Sequence, residues 1–350
     1  MRERSVSAHV LPEDPSLLYW LWGADHRLAH AEVEYLTGLP TRALARGLVA
    51  SGAHDLCAVR RLAYTRCVMQ WLGHTQDFVP PFDAREVVSG TFAVKGHALE
   101  AVGGSATTDV VPALTGGHTA ARTAGELVWD SLPNPRVDFQ HPETEIHMFL
   151  TTDGVYWGRL LFAADPHEFD AREPHRRPFW RSMALPSRKA RCLVNLSGVQ
   201  PGERLLDPFC GTGSIPIEAA LMGVRSVASD VDWAIATGAA RNFKALGLEE
   251  IEVRRVDARD WADTGQRFDA IVADLPYGRS ASIKGVDRDE LYGSFLDTAA
   301  KSLKSHGRAV LMAPEGTLPV PPRSLPVVNR FREYVHGTLT REVTVLEQTA

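Results

Sequence analysis

Apolar residues gather along this chain in short runs broken by glycine, proline and charged clusters, and the rhythm changes about halfway. In the carboxyl half the runs Arg204 to Asp207, Ser226 to Asp230, Ile251 to Val256, Asp269 to Asp274 and Arg308 to Met312 read as strands, with helical spacing between them. A proline-rich loop, Pro314 to Pro326, then leads to two last strands near Arg330 to Tyr334 and Arg341 to Glu347. Strand and helix alternating in this way predict an α/β fold: a doubly wound, mostly parallel seven-stranded sheet of the Rossmann-like kind over residues 181–350. The amino half is choppier. Leu17 to Trp22 reads as a strand, and a helix from about Asp25 carries Leu28, Ala31 and Tyr35 on one face until Gly38 and Pro40 stop it. Gly47 to Ala50 and a helix near Ala58 to Leu72 complete an α+β domain over residues 1–75. A second α+β domain, 76–165, has strands at Gly90 to Val94, Glu145 to Leu150 and Tyr156 to Phe162 around a helix near Ala120 to Ser131. Residues 166–180 read as a basic linker.

Composition narrows the class without naming a function. The 350 residues, 44% hydrophobic and 23% charged, suit two or three globular domains. The four cysteines form no CxxC pair and no cluster with histidine at zinc spacing, so neither a disulfide framework nor a metal is expected. The sequence has no apolar run of membrane-spanning length and no apolar signal core before Pro12. The expectation is a cytoplasmic protein with no membrane partner. A net charge of −5 argues against coating nucleic acid by bulk charge. One stretch runs against that balance: from Ala171 to Arg191 there are seven Lys or Arg residues and one acid, Glu173.

Two strand-ending turns carry the chemistry. After Leu205-Leu206 comes Asp207-Pro208-Phe209-Cys210-Gly211-Thr212-Gly213, a glycine turn before a helix, where a ligand can approach bare backbone. A dinucleotide fingerprint would place a small residue where Pro216 stands, and a phosphate loop would end in Gly-Lys-Ser/Thr; neither is present. S-adenosyl-L-methionine fits what remains, because its amine, ribose and adenine must each be held separately. Asp207 can bond the amine, Asp230 (or Asp232, one turn away) the ribose hydroxyls, and Asp257, before Ala258, the adenine amino group. Phe209, Cys210, Gly211, Thr212 and Gly213 would line the rest. The second turn, Asp274-Leu275-Pro276-Tyr277, suits a planar base bearing an amino group. The Asp274 carboxylate and the Leu275 carbonyl each accept one N–H bond and turn the nitrogen lone pair toward the methyl donor. Pro276 fixes φ, and Tyr277 offers a stacking face. Catalysis here is positioning plus a fixed negative charge near the developing cation.

These features resemble known families. Phe92-Ala93-Val94, Val137-Asp138 and the stretch from Asn134 to Glu145 resemble a THUMP domain, an RNA-binding module of tRNA-modifying enzymes. The catalytic half resembles the amino methyltransferases. With Arg177-Pro178-Phe179, Met183 to Leu196, Leu205 to Ala220, Asp274 to Arg279 and His336 to Arg341, the whole chain resembles the tRNA guanosine-10 N2-methyltransferase family of archaea and eukaryotes. The resemblance implies a ferredoxin-like piece before THUMP. It also implies that Pro186 and Ser187 line the donor pocket from the other side, and that tRNA is the partner. It leaves open a small activating subunit. Arg176, Arg177, Arg181 and Lys284 are expected to meet RNA phosphates. Leu275 departs from the proline of many relatives but keeps the carbonyl. Other readings of the same turns are a guanosine elsewhere in tRNA, such as position 6, or N6-adenine methylation of DNA or RNA.

Overall fold

The computed structural model describes residues 15–23, 25–100, 117–277, 287–337 and 339–349. They divide into two compact units, one reaching Asp165 and one starting at Pro166, with Tyr35–Gly38 and Arg61–Ala63 belonging to the second.

The first unit is built on one seven-stranded sheet. Its strands are β1 (Leu17–Leu21), β2 (Thr41–Ala45), β3 (Leu48–Ser51), β4 (Thr65–Thr75), β5 (Phe92–Ala98), β6 (Thr144–Thr151) and β7 (Gly154–Ala163), in the order β2-β3-β1-β4-β7-β6-β5. Only the β5–β6 pair of this order is parallel. The sheet runs across the boundary expected at residue 75, since β4 pairs with β1 on one side and β7 on the other. The helix expected from Ala58 to Leu72 is corrected. A single turn, Leu56–Val59, is capped by Asp55, whose carboxylate accepts from Cys57 N, and the chain then enters β4. A central strand with Cys67, Val68 and Met69 all buried carries apolar residues on both faces, so its run lacks the alternation that marks a strand. The helix Gly117–Ser131 lays Ala120, Ala121, Ala124 and Val128 on the sheet, close to the expected boundaries.

In the second unit the strands fall where the apolar runs place them. They are β8 (Arg204–Asp207), β9 (Arg225–Ser229), β10 (Glu252–Arg254), β11 (Phe268–Asp274), β12 (Leu303–Pro314), β13 (Val327–His336) and β14 (Leu339–Glu347). Their order is β10-β9-β8-β11-β12-β14-β13. From β10 to β12 every pairing is parallel, and β14 enters antiparallel between β12 and β13. The chain winds outward from β8 to β10, then returns to place β11 against β8, with Leu205 opposite Ala270 and Leu206 opposite Ile271. That reversal opens a crevice at the carboxyl ends of β8 and β11, where open α/β sheets bind ligands. One core beneath it packs Trp261, Phe268, Tyr292 and Phe295 against the sheet. A second packs Cys210, Ile217, Ala239 and Phe243.

The segment read as a basic linker folds into this unit. Phe179 seats its ring where a side chain on Gly238 would stand, 2.4 Å from the Cβ position. Asn242 grips the Phe179 backbone twice, accepting from its N–H at 2.9 Å and donating to its carbonyl at 2.7 Å. Arg172 and Arg191 both bond Glu218, which has no exposed surface. Residues 172–186 are therefore a strap bound to the helices Ser187–Leu196, Ser214–Leu221 and Trp233–Ala245.

Candidate active site

The two motif turns meet on one cavity of about 430 Å³. Its wall includes Asp207, Phe209, Cys210, Gly211 and Thr212 from the first turn, and Asp274, Leu275, Pro276 and Tyr277 from the second. Asp230, Asp257, Ala258 and Arg181 also line it. Each acid stands at or just beyond a strand end because the parallel strands all point their carboxyl ends at the crevice.

The glycine turn is shaped by hydrogen bonds to its own backbone. Asp207 accepts from Phe209 N at 3.1 Å, Cys210 N donates to Ser229 O at 2.9 Å, and Gly213 N donates to Cys210 O at 2.7 Å. Gly211 and Gly213 both have positive φ, 52° and 87°, but they serve different ends. A Cβ on Gly211 would meet nothing nearer than 3.9 Å, so its backbone is open to a ligand. A Cβ on Gly213 would lie 2.3 Å from the Phe243 ring, and Gly213 does not line the cavity. Its placement among the ligand residues is corrected: it lets the helix Ser214–Leu221 start against Phe243. Pro216 falls in the first turn of that helix, where an N–H has no helical partner. Gly213→Ala is expected to destabilise the chain by about 2 to 4 kcal/mol through strained φ and the ring clash. Thermal unfolding measures this, and an unchanged midpoint would refute the packing role.

The acids of the cavity are held in different ways. Burial pushes the Asp207 carboxyl well above the usual carboxylate range; the Phe209 N–H opposes this, and the Asp230 and Asp274 charges add to it. Burial likewise pushes the Cys210 thiol well up, so it packs as a neutral side chain. Asp257 goes the other way. Arg259 bonds both its oxygens, at 3.0 and 2.8 Å, and holds its carboxyl below the usual range. Asp230 accepts from Asp232 N at 2.9 Å, while Asp232 caps the helix Trp233–Ala245 through Ala234 N and does not line the cavity.

Asp274 ends β11, and its Oδ1 is cut off from water with no partner among the described residues. Burial pushes its carboxyl up to about 7, with Arg341 opposing and Glu333 adding. A buried acceptor without a donor is costly, and a substrate N–H would satisfy it. Leu275 N donates to Met312 O at 2.9 Å, which continues the β11–β12 ladder into the turn. The turn is held from below by Tyr292, whose hydroxyl donates to Pro276 O at 2.8 Å. Sequence reading missed Tyr292. The available signal was a tyrosine amid the helical spacing of Leu291, Phe295 and Leu296, since a buried hydroxyl needs a partner. Tyr292→Phe should lower kcat roughly tenfold, the cost of about one neutral hydrogen bond at the turn. Donor affinity should not change. Steady-state kinetics with donor titration checks both, and an unaltered kcat would refute the role.

Three further expectations are corrected. Pro186 and Ser187 do not line the cavity; their neighbours Met183, Ala184 and Leu185 do. Ser187 is buried, donating to Arg172 O at 2.9 Å and accepting from Arg177. Arg177 is not a phosphate contact. It is 5% exposed, and its nitrogens donate to Arg172 O, Ser214 Oγ and Ser187 Oγ at 2.8 to 2.9 Å. Burial lowers its pKa to about 10. Arg176 and Arg181 are exposed, and Arg181 reaches the cavity wall. Lys284 lies outside the described residues.

A parallel sheet reversed at β8 and β11, with an antiparallel β14 and an acid-lined cleft, defines a Rossmann-like methyltransferase. Residues 174–320 match the UPF0020 family, the RMKL-like methyltransferase domain. The chain is 35% identical over 296 residues to the tRNA (guanine(10)-N2)-dimethyltransferase of Methanothermobacter thermautotrophicus, covering 83% of this chain and 84% of that protein. To the enzyme of the same name from Pyrococcus abyssi it is 32% identical over 282 residues, 77% of this chain and 78% of that one. Among solved structures, TrmN from Thermus thermophilus shares the fold at 22% identity and a TM-score of 0.51, covering 95% of this chain and 99% of that one. The chain belongs to the tRNA guanine-10 N2-methyltransferase family.

Proposed function

We propose that this chain transfers a methyl group from S-adenosyl-L-methionine to the exocyclic N2 of a guanosine in tRNA, at position 10. The observation that carries this reading is the junction of the two turns on one cavity, with the buried Asp274 Oδ1 left for a donor. The residues fit the methyl donor: Asp207 offers a buried carboxyl group at the cavity wall, and the Gly211 backbone is open. When bound, the donor supplies an electrophilic methyl group on a sulfonium. Asp207 is assigned to its amino group, Asp230 to the ribose hydroxyls and Asp257 with Ala258 to the adenine. Asp274 and the Leu275 carbonyl accept the two N–H bonds of the guanine amine and aim its lone pair. Tyr277 stacks the extruded base, and Pro276, held by Tyr292, fixes the turn. The nitrogen sheds its proton once methylated, and Asp274 is placed to take it.

The first unit supplies the RNA grip as a THUMP-like module, and Arg176 and Arg181 meet backbone phosphates. Arg181→Ala should reduce the slope of log K against log salt by about one, with weaker binding across all tRNA sequences. Filter binding over a salt series measures it, and an unchanged slope would remove Arg181 from the interface. The function itself is tested with labelled donor and bulk tRNA digested to nucleosides. N2-methylguanosine or its dimethyl form is expected, lost on a transcript with guanosine 10 replaced. Label retained on that transcript but lost when guanosine 6 is replaced would move the site, and N6-methyladenosine or no product would overturn the reading.

A further inference from the structure

The acceptor turn is braced from a second direction, by a residue of the last strand. The antiparallel register places Arg341 of β14 opposite Pro314 of β12 and Glu333 of β13. This is the end of the sheet where Asp274 finishes β11, itself paired with Met312 of β12. The Arg341 guanidinium lies 5.5 Å from the centre of the Tyr277 ring. Its Nε is shut off from water with no partner among the described residues. Across the strand pair, Glu333 is bound to Lys189 at 2.8 Å. A guanidinium that served only to solvate the sheet edge would turn its nitrogens to water. This one has its Nε closed off from water beside the Tyr277 ring, and its charge acts on the Asp274 carboxyl.

We propose that Arg341 is a positioning residue for methyl transfer, fixing the plane of Tyr277 and supplying the positive charge that faces the Asp274 carboxylate. The proposal rests on the reading of Asp274 to Tyr277 as the acceptor turn. A planar cation over an aromatic ring resists tilting of that ring, and a tilted Tyr277 would present the base amine off line. The same charge acts on Asp274. Around that carboxyl stand Asp207 from the neighbouring strand end, Glu333 from β13, Tyr277 from the turn and Tyr292 from the helix beneath. Glu333 pushes the Asp274 carboxyl up, and Arg341 pulls it down. Without Arg341 the burial of Asp274 would go less opposed, and a smaller fraction would be charged near neutral pH.

The test compares Arg341→Gln with Arg341→Lys. The Gln variant should shift the acid limb of the kcat profile upward by about one pH unit and lower kcat roughly tenfold at pH 7, with donor affinity kept within about twofold. The Lys variant keeps the charge but not the flat contact, so its limb should stay in place while kcat falls a few-fold. A limb unmoved in the Gln variant would overturn the proposal, as would equal limb shifts in both variants. Carbon-13 NMR of the Asp274 carboxyl in the ligand-free chain follows the same titration without turnover. An unshifted midpoint in the Gln variant there would also overturn it. Because that measurement needs no acceptor, a chain that methylates some other base would fail the tRNA test and still decide the role of Arg341.

Discussion

Asp274→Ala is expected to reduce kcat for methyl transfer by about a thousandfold or more while donor affinity changes only a few-fold. The size of the effect follows from how little else in the cavity can do the same job. An exocyclic guanine amine is a poor nucleophile because its lone pair is delocalised into the ring, so the site must hold both N–H bonds and place negative charge beside the nitrogen as it becomes cationic. Asp274 supplies the charge and one acceptor; Leu275 supplies a neutral carbonyl. Asp274→Asn keeps the shape and loses the charge, and should remain severely impaired. Rapid-quench turnover together with equilibrium donor binding separates the two effects. Undiminished turnover in either variant would remove Asp274 from the mechanism.

The pH dependence has a definite sign. The folded-state carboxyl titrates at about 7, against an ordinary value of 3.8. Only the ionised form accepts the amine, so kcat should fall about tenfold per unit as pH drops below 7. Stability moves the other way. Between about pH 4 and pH 7 the folded state holds the proton more tightly than the unfolded chain, so stability is lost as pH rises through that window and is level on either side. Asp274→Asn should therefore be more stable than the natural chain by roughly 2 to 4 kcal/mol at pH 8 and nearly equal to it at pH 4. Denaturant melts at the two pH values measure this, and equal midpoints at pH 8 would contradict the burial of the charge. A residue that destabilises the fold when in its working state is a mark of an active site.

The second large effect lies away from the reacting atoms. Glu218→Ala should destabilise the second unit by about 3 to 5 kcal/mol, because it strands two guanidinium groups without their main counter-charge. Glu218 accepts from Arg172 at 2.7 and 3.2 Å and from Arg191 at 2.9 and 2.7 Å, and has no exposed surface. Glu168 is the lesser partner: its carboxylate meets Arg172 once, at 3.1 Å, and Arg191 only at 3.6 Å, while its backbone carbonyl also accepts from Arg172. Loosening the strap should also reach the cavity, since Arg181 and Met183 to Leu185 form part of its wall. Donor affinity is expected to fall along with the unfolding midpoint. A midpoint shifted by less than about 1 kcal/mol would show that the network is spare.

That network marks how far the basic run could be read from sequence. Seven Lys or Arg residues against one acid suggest a surface for phosphate, and Arg176 and Arg181 do face outward. Arg172, Arg177, Lys189 and Arg191 instead turn inward, onto Glu218, Glu333, serine hydroxyls and backbone carbonyls. Their partners lie up to 144 residues away, as Glu333 does from Lys189, so local charge counting cannot find them. The two glycines of the first turn make the same point on a smaller scale. They share a motif and a positive φ, yet only the place of Phe243 tells the one open to a ligand from the one closed by packing. The misread helix at Ala58 to Leu72 belongs here too, because burial of both faces of β4 erased the alternation that would have marked it.

By itself the chain determined the alternating strands and helices of the second unit, the acids at their carboxyl ends and the two turns that suit a sulfonium donor and an aromatic amine. These are local properties: apolar runs of strand length, glycine where φ must be positive, proline where an N–H is dispensable. Tertiary structure decided which charges are buried, which side chains brace the turns and which wall faces the donor. Tyr292, Arg341 and Glu218 act only because a parallel sheet, reversed between β8 and β11, brings distant segments to one crevice. Burial and hydrogen-bond pairing are relations between such segments, and no single stretch of the chain contains them.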